Sequence, residues 1–216
     1  MFSHAAISAR VGPARRRGAH GRIYAPRGFT LVEAMVAISI TAMAGAVLLL
    51  AIETAVQNTT DSVEQTMAAG MARQLVDEVL GARYTAVGAG PYQLPLGPNN
   101  WEQAGEGRER FNDTDDFNNF QAQPPESRWG VALGADDGAG NLRHPNFRAP
   151  TGKFDDWRQT IEVYYVDESD FSQRLTGGDT SNFRAVEVTI ARQEQDGSYR
   201  ELARLRRVYS YVPHPN

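Results

Sequence analysis

The chain has no cysteine. That excludes a disulfide, a thiolate metal site and a thiol nucleophile. Histidine is scarce too, with only His4, His20, His144 and His214. A histidine zinc site or a Ser-His-Asp triad would have to use His144 or His214, and no motif surrounds either. Acidic residues are missing from the first 28 positions, where Arg10, Arg15, Arg16, Arg17, Arg22 and Arg27 all lie. Six of the 22 basic residues and none of the 26 acidic ones fall there, so residues 29–216 set 16 bases against 26 acids, a net charge of about -10. A body that acidic gives no footprint for nucleic acid, which needs clustered Lys and Arg to displace counterions from phosphates, and no nucleic-acid partner is indicated. Charge is also missing from Ala34 to Ile52, and proline from residues 30–81.

At 216 residues and 41% apolar composition the chain has room for one globular domain with its own core and an appended segment. The charge-free run Ala34–Ile52 is 19 residues long, enough to cross the hydrocarbon core as a helix. The arginines before it keep the N-terminal side cytoplasmic by the positive-inside rule, so the remainder goes across the membrane. A secretory signal peptide would have a shorter apolar run and a small-residue cleavage site after it. Hydropathy alone would read the segment as a plain signal anchor.

Helical patterning outlasts the membrane run. Val56, Val63, Met67, Met71, Leu75 and Val79 recur mainly every four residues, which predicts an amphipathic continuation to about Leu80. At about 1.5 Å per residue, residues 30–81 would form a rod of roughly 75 Å. It should end near Gly81, where glycine can take a left-handed cap. Residues 82–158 are rich in Gly, Pro, Asn and Asp and read as a long ordered loop region with a short strand at Trp129–Leu133. Its aromatics, among them Tyr92, Trp101, Phe111, Phe117, Trp129, Phe147, Phe154 and Trp157, read as anchors of the loop to the core rather than a ligand box.

Beyond that stretch the period changes to two. Gln159–Val166 places Ile161, Val163 and Tyr165 on one face, and Phe183–Arg192 does the same with Val186, Val188 and Ile190. Tyr199–Val212 is a third, more charged run. Asp196-Gly197 between the last two supplies the positive backbone angles of a tight hairpin. The fold class expected is α+β, a long N-terminal helix packed on a C-terminal antiparallel sheet. Its expected parts are a basic leader at 1–28, a membrane and assembly helix at 29–52, and a globular domain at 53–216. That domain divides into helix to 81, loops at 82–158 and sheet at 159–216.

The segment Arg27-Gly28-Phe29-Thr30-Leu31-Val32-Glu33, directly before the apolar run, resembles the type III signal of type IV prepilins and pseudopilins. The resemblance implies cleavage after Gly28 by prepilin peptidase, which also methylates the new N-terminal Phe29. It implies as partners that peptidase/N-methyltransferase, other pilin subunits, the bacterial inner membrane, and a pilus or type II secretion assembly platform. It places the globular domain in the periplasm and, after assembly, on an extracellular filament. Gly28 lets an extended backbone enter a peptidase site without a side-chain clash. Glu33 is an ionised carboxylate in an apolar helix, which costs several kcal/mol unless paired. In this family its partner is the amino terminus of a neighbouring subunit.

Phe111-Asn112-Asp113-Thr114-Asp115-Asp116-Phe117-Asn118, with Pro124-Pro125 and the C-terminal strands, looks like the signature of minor pilins in mannose-sensitive haemagglutinin pilus systems. The absence of a C-terminal cysteine pair and of a proline in the membrane helix departs from many major pilins, which argues for a minor subunit. Asp113, Asp115 and Asp116 offer hard oxygen ligands suited to calcium, but Phe117 and Asn118 stand where an EF-hand needs a ligand and a glycine. A solvated acidic turn is the plainer reading and a calcium site the alternative. The competing functions are a minor pilin, a pseudopilin of a type II secretion system, and a filament-borne adhesive module using residues 99–157. An enzyme is not indicated, because Asp136-Asp137 and Asp155-Asp156 have nothing else converging on them.

Overall fold

A computed structural model describes residues 28–213. The basic leader up to Arg27 and the terminal His214 lie outside the described residues. The chain forms two compact units, Met1–Ile52 and Glu53–Asn216. A helix α1, Leu31–Gly81, contributes to both. Within the first unit Leu31, Val32, Met35, Ile38, Met43, Leu48 and Ile52 are all exposed, the pattern of a segment whose partner is lipid or other chains. The helix is long and apolar enough to cross a membrane by length and composition. The two hydroxyls of this apolar run need no outside partner: Ser39 Oγ donates to Met35 O and Thr41 Oγ1 to Ala37 O, each at 2.8 Å.

In the second unit the rest of α1 meets a four-stranded antiparallel sheet. Its strands are β1 (Phe120–Ala122), β2 (Trp157–Tyr165), β3 (Phe183–Gln193) and β4 (Tyr199–Ser210), in that spatial order. The α+β class is therefore as expected. Alternation in β2 and β3 sends Trp157, Ile161, Val163, Val186, Val188 and Ile190 into the core, where Ile161 pairs with Val188 and Val188 with Leu205. The helix covers this face with Ala68, Ala72, Leu75, Val76 and Val79. The expected stripe is right at Leu75 and Val79, only half-buried at Met67 and Met71, and exposed at Val56 and Val63. Burial begins at Glu64, and small alanines rather than methionines line the closest approach to the sheet.

Glu64 is itself buried and is held by Arg192, with Nη1 at 2.7 and 2.6 Å from its two oxygens. Arg200 Nη2 lies 3.5 Å away, so helix, β3 and β4 are tied by charge-assisted bonds at this edge of the core. The β3–β4 turn is as expected: Gly197 has φ +82° and Ser198 N donates to Asp196 Oδ1 at 2.9 Å.

Two local expectations are corrected. Gly81 ends α1 without a positive φ, and Ala82 N closes the last turn on Val79 O at 3.1 Å instead. Trp129–Leu133 is not a strand. Ser127 N bonds Val131 O and Leu133 N bonds Pro125 O, both at 2.8 Å, around a bend whose Gly130 has φ +73°. The bend is forced by backbone crossing, since a Cβ on Gly130 would sit 2.9 Å from Gly107 N. The strand supplied by this region is β1 instead, added to the edge of β2 through Phe120↔Ile161.

Candidate functional site

Gly28, Phe29 and Thr30 precede α1 in non-helical backbone. A Cβ on Gly28 would meet nothing within 4 Å, and Phe29 is exposed. The stretch is thus open to an approaching enzyme. Thr30 is the N-cap: its carbonyl takes the first helical bond from Ala34 N at 3.1 Å. Glu33 N donates to Thr30 Oγ1 at 3.2 Å, while Thr30 N and Thr30 Oγ1 donate to Glu33 Oε2 at 2.9 and 2.8 Å. This is a reciprocal capping box, in which residue and cap satisfy each other's unpaired groups at the helix start. The Thr-x-x-Glu spacing is the sequence signature of this cap, a partner for Glu33 within its own chain in addition to the one expected on a neighbouring chain.

Residues 25–49 match the family model described as the prokaryotic N-terminal methylation motif. The N-terminus is of the type IV pilin-like kind. No curated protein and no solved structure matches the chain. The methylation motif covers Gly28, Phe29, Thr30 and Glu33 and reaches Leu49, most of the charge-free run. It implies processing by prepilin peptidase, assembly with other pilin-like chains, and membrane anchoring through the apolar helix.

The second candidate is the acidic segment, and here the plainer expectation fails. Asp113, Asp115 and Asp116 are not a solvated turn: all three are buried, with ligand atoms within 4.8 Å of one another. The chain wraps its own carboxylates. Asp116 Oδ2 accepts from Asn112 N and Asp113 N at 2.8 and 3.2 Å, and Asp113 Oδ1 accepts from Asp115 N at 3.1 Å. A short 3-10 turn, Asp115–Phe117, drives Phe117 into the core against Phe111, with ring centroids 5.1 Å apart. That anchoring takes the acids inward with it.

The counter-charge is Arg184 on β3, fully buried, with Nη1 3.6 Å from Asp115 Oδ1. Its fork also donates to Tyr84 O at 2.7 Å, Thr114 Oγ1 at 3.1 Å and Tyr165 OH at 2.9 Å. Its guanidinium lies over the Tyr84 and Tyr165 rings at 4.3 and 5.0 Å. Burial, aided by the neighbouring carboxylates, pushes Asp113 up to about 8. Burial pushes Asp116 up to about 6 against the two backbone donors that oppose it. The three carboxylates are the donor set a hard cation would use, and Arg184 already brings one positive charge to the same place.

Elsewhere, Asp137 caps its own loop, accepting from Ala139 N and Asn141 N at 2.8 and 3.0 Å, and these bonds lower its pKa. Asp156 lies 4.0 Å from Arg192. His144 is exposed and accepts from Asn146 N at 3.3 Å. The loop aromatics divide: Phe111, Phe117, Phe154 and Trp157 are anchored in the core, whereas Tyr92, Trp101, Trp129 and Phe147 are exposed.

Proposed function

We propose that the protein is a minor subunit of a type IV pilus-like filament with no catalytic role of its own. In this reading it is cut after Gly28, methylated on Phe29 and assembled through residues 29–52. The supporting observation is a methylation motif that opens directly onto a charge-free helical run with every large side chain exposed. Before assembly the capping box keeps the Glu33 carboxylate bonded inside its own chain, which reduces the cost of holding it in lipid. Cleavage leaves Thr30 N–H in place and frees the Phe29 amine, so a neighbour's amine adds a charged partner to a carboxylate that is already aimed. The orientation that follows is a cytoplasmic leader, a single inner-membrane pass and a periplasmic domain.

The missing cysteine pair and the Phe111–Asn118 signature support a minor pilin of the mannose-sensitive haemagglutinin type over a main structural subunit. Glu33→Gln tests the assembly role. The variant should still insert, since losing a charge eases partition into lipid, but should be missing from sheared surface filaments. Normal levels of Glu33→Gln in those filaments would refute the pairing role. A wild-type chain confined to the periplasm and needed for protein export would make it a type II secretion pseudopilin instead.

A further inference from the structure

A cleft of about 790 Å³ opens in the globular unit between the C-terminal turns of α1 and the loop that carries Trp101. Its walls include Asp77, Arg83, Trp101, Glu109, Arg110 and Arg128. The volume falls in the range of small-ligand sites, which combine an apolar plate with a few placed polar groups.

Trp101 is 63% exposed, and the chain nonetheless fixes it firmly. It sits on the short helix α2 (Asn100–Gln103), closed by a capping box in which Asn99 Oδ1 accepts from Glu102 N at 3.1 Å and Glu102 Oε2 accepts from Asn99 N at 2.7 Å. Glu102 also takes Asn112 Nδ2 at 2.7 Å, which ties α2 to the buried acidic segment. Arg110 Nη1 donates to Trp101 O at 3.1 Å, and its guanidinium lies 5.2 Å from the indole centroid. The bonds hold the α2 backbone, and Arg110 is the residue that contacts the exposed ring.

Arg83 and Arg128 line the same cleft from backbone that is also pinned, and the Arg128 guanidinium lies 6.0 Å from the Trp129 ring centroid. Thr114 N bonds Arg83 O and Arg108 N bonds Arg128 O, both at 2.8 Å. Neither guanidinium has a carboxylate partner among the described residues, in a domain with an excess of acids. Three of the backbone acceptors at the cleft, Arg83 O, Arg128 O and Trp101 O, are occupied. What remains is an indole plate, two guanidinium forks suited to carboxylate, and the Asp77 oxygens as hydroxyl acceptors, since Glu109 is already paired with Arg110 at 3.7 Å.

We propose that this cleft binds an acidic oligosaccharide, with a pyranose stacked on Trp101 and its carboxylate held by Arg83 and Arg128. The inference goes beyond the filament role and is independent of it, because binding needs no assembly. The test is calorimetric titration of the full chain, purified in lauryldimethylamine oxide, with trigalacturonate, maltotriose and triglutamate. Saturable binding of trigalacturonate is expected, weakened about tenfold or more by Trp101→Ala and by the Arg83→Gln/Arg128→Gln pair, with circular dichroism unchanged. No saturable binding of trigalacturonate would overturn the proposal. So would equal binding of maltotriose, which removes the carboxylate role, or equal binding of triglutamate, which makes the cleft a peptide site.

Discussion

Replacing Arg184 by Met removes the positive charge that faces the buried acids and keeps much of the side-chain volume. Three close donations are lost, to Tyr84 O, Thr114 Oγ1 and Tyr165 OH, and the ion pair to Asp115 goes with them. Hydrogen bonds from a charged donor are each worth about 1.5–3 kcal/mol net, and breaking a buried pair from one side costs about 3–5 kcal/mol. These overlap, so a loss of about 3–5 kcal/mol is expected at pH 8. The pH dependence distinguishes this mechanism from simple loss of packing. Asp113 and Asp116 are raised in the folded state, to about 8 and about 6, above the ordinary value near 3.8. A raised carboxylate stabilises the fold fully below its unfolded value and loses that contribution as pH climbs through the folded one. Wild-type stability should therefore fall between pH 5 and pH 8. Without Arg184 the acidic segment loses a facing positive charge 3.6 Å from Asp115, so the fall should steepen and acid should return about 1–2 kcal/mol of the loss. Urea melts of a fragment beginning at Glu53, followed at pH 5 and pH 8, measure this. An Arg184→Met fragment as stable as wild type, or equally weakened at both pH values, would refute the reasoning.

Asp113→Asn should flatten the wild-type pH dependence in the same melts, because the group with the most raised value no longer titrates. Leu75→Asp should leave the fragment unfolded by circular dichroism and Leu75→Ala should cost about 2–5 kcal/mol, whereas Met67→Asp, at a half-buried position, should cost less than Leu75→Asp. Thr30→Val keeps the shape of the cap but not its hydroxyl, and should weaken the helix start by about 0.5–2 kcal/mol; faster amide exchange over Leu31–Ala34 in detergent is the readout. Gly28→Leu should leave uncleaved precursor in the inner membrane, visible as the larger band on immunoblots.

The α+β class was legible because the apolar period shifts from about four in the helix to two after residue 158. The face of β3 was legible as well, and the same alternation that turns Val186, Val188 and Ile190 inward also turns Arg184 and Arg192 inward. Their role as counter-charges to buried acids lies in that register, whereas charged residues in a strand ordinarily face solvent. The acidic segment misled for a related reason. Its composition is that of a surface turn, and only the flanking Phe111 and Phe117 indicate that it is drawn into the core. Strand β1 and the bend at Gly130 depend on partners far along the chain, Ile161 and Gly107, which local pattern does not reveal. At the N-terminus the motif is plain, whereas the bond between Thr30 and Glu33 is written only in the Thr-x-x-Glu spacing, inside a motif that itself pairs Glu33 with another chain.

The proposed maturation of this chain as a prepilin takes place at the junction between Gly28 and Phe29. Intact-mass and peptide mass spectrometry of the protein extracted from envelopes of cells with an active prepilin peptidase tests it most directly. The expected product is a chain that begins at Phe29 with a methylated amine, and an unprocessed chain when the peptidase is deleted. A leader still attached in peptidase-positive cells, or a cut at any other position, would contradict it.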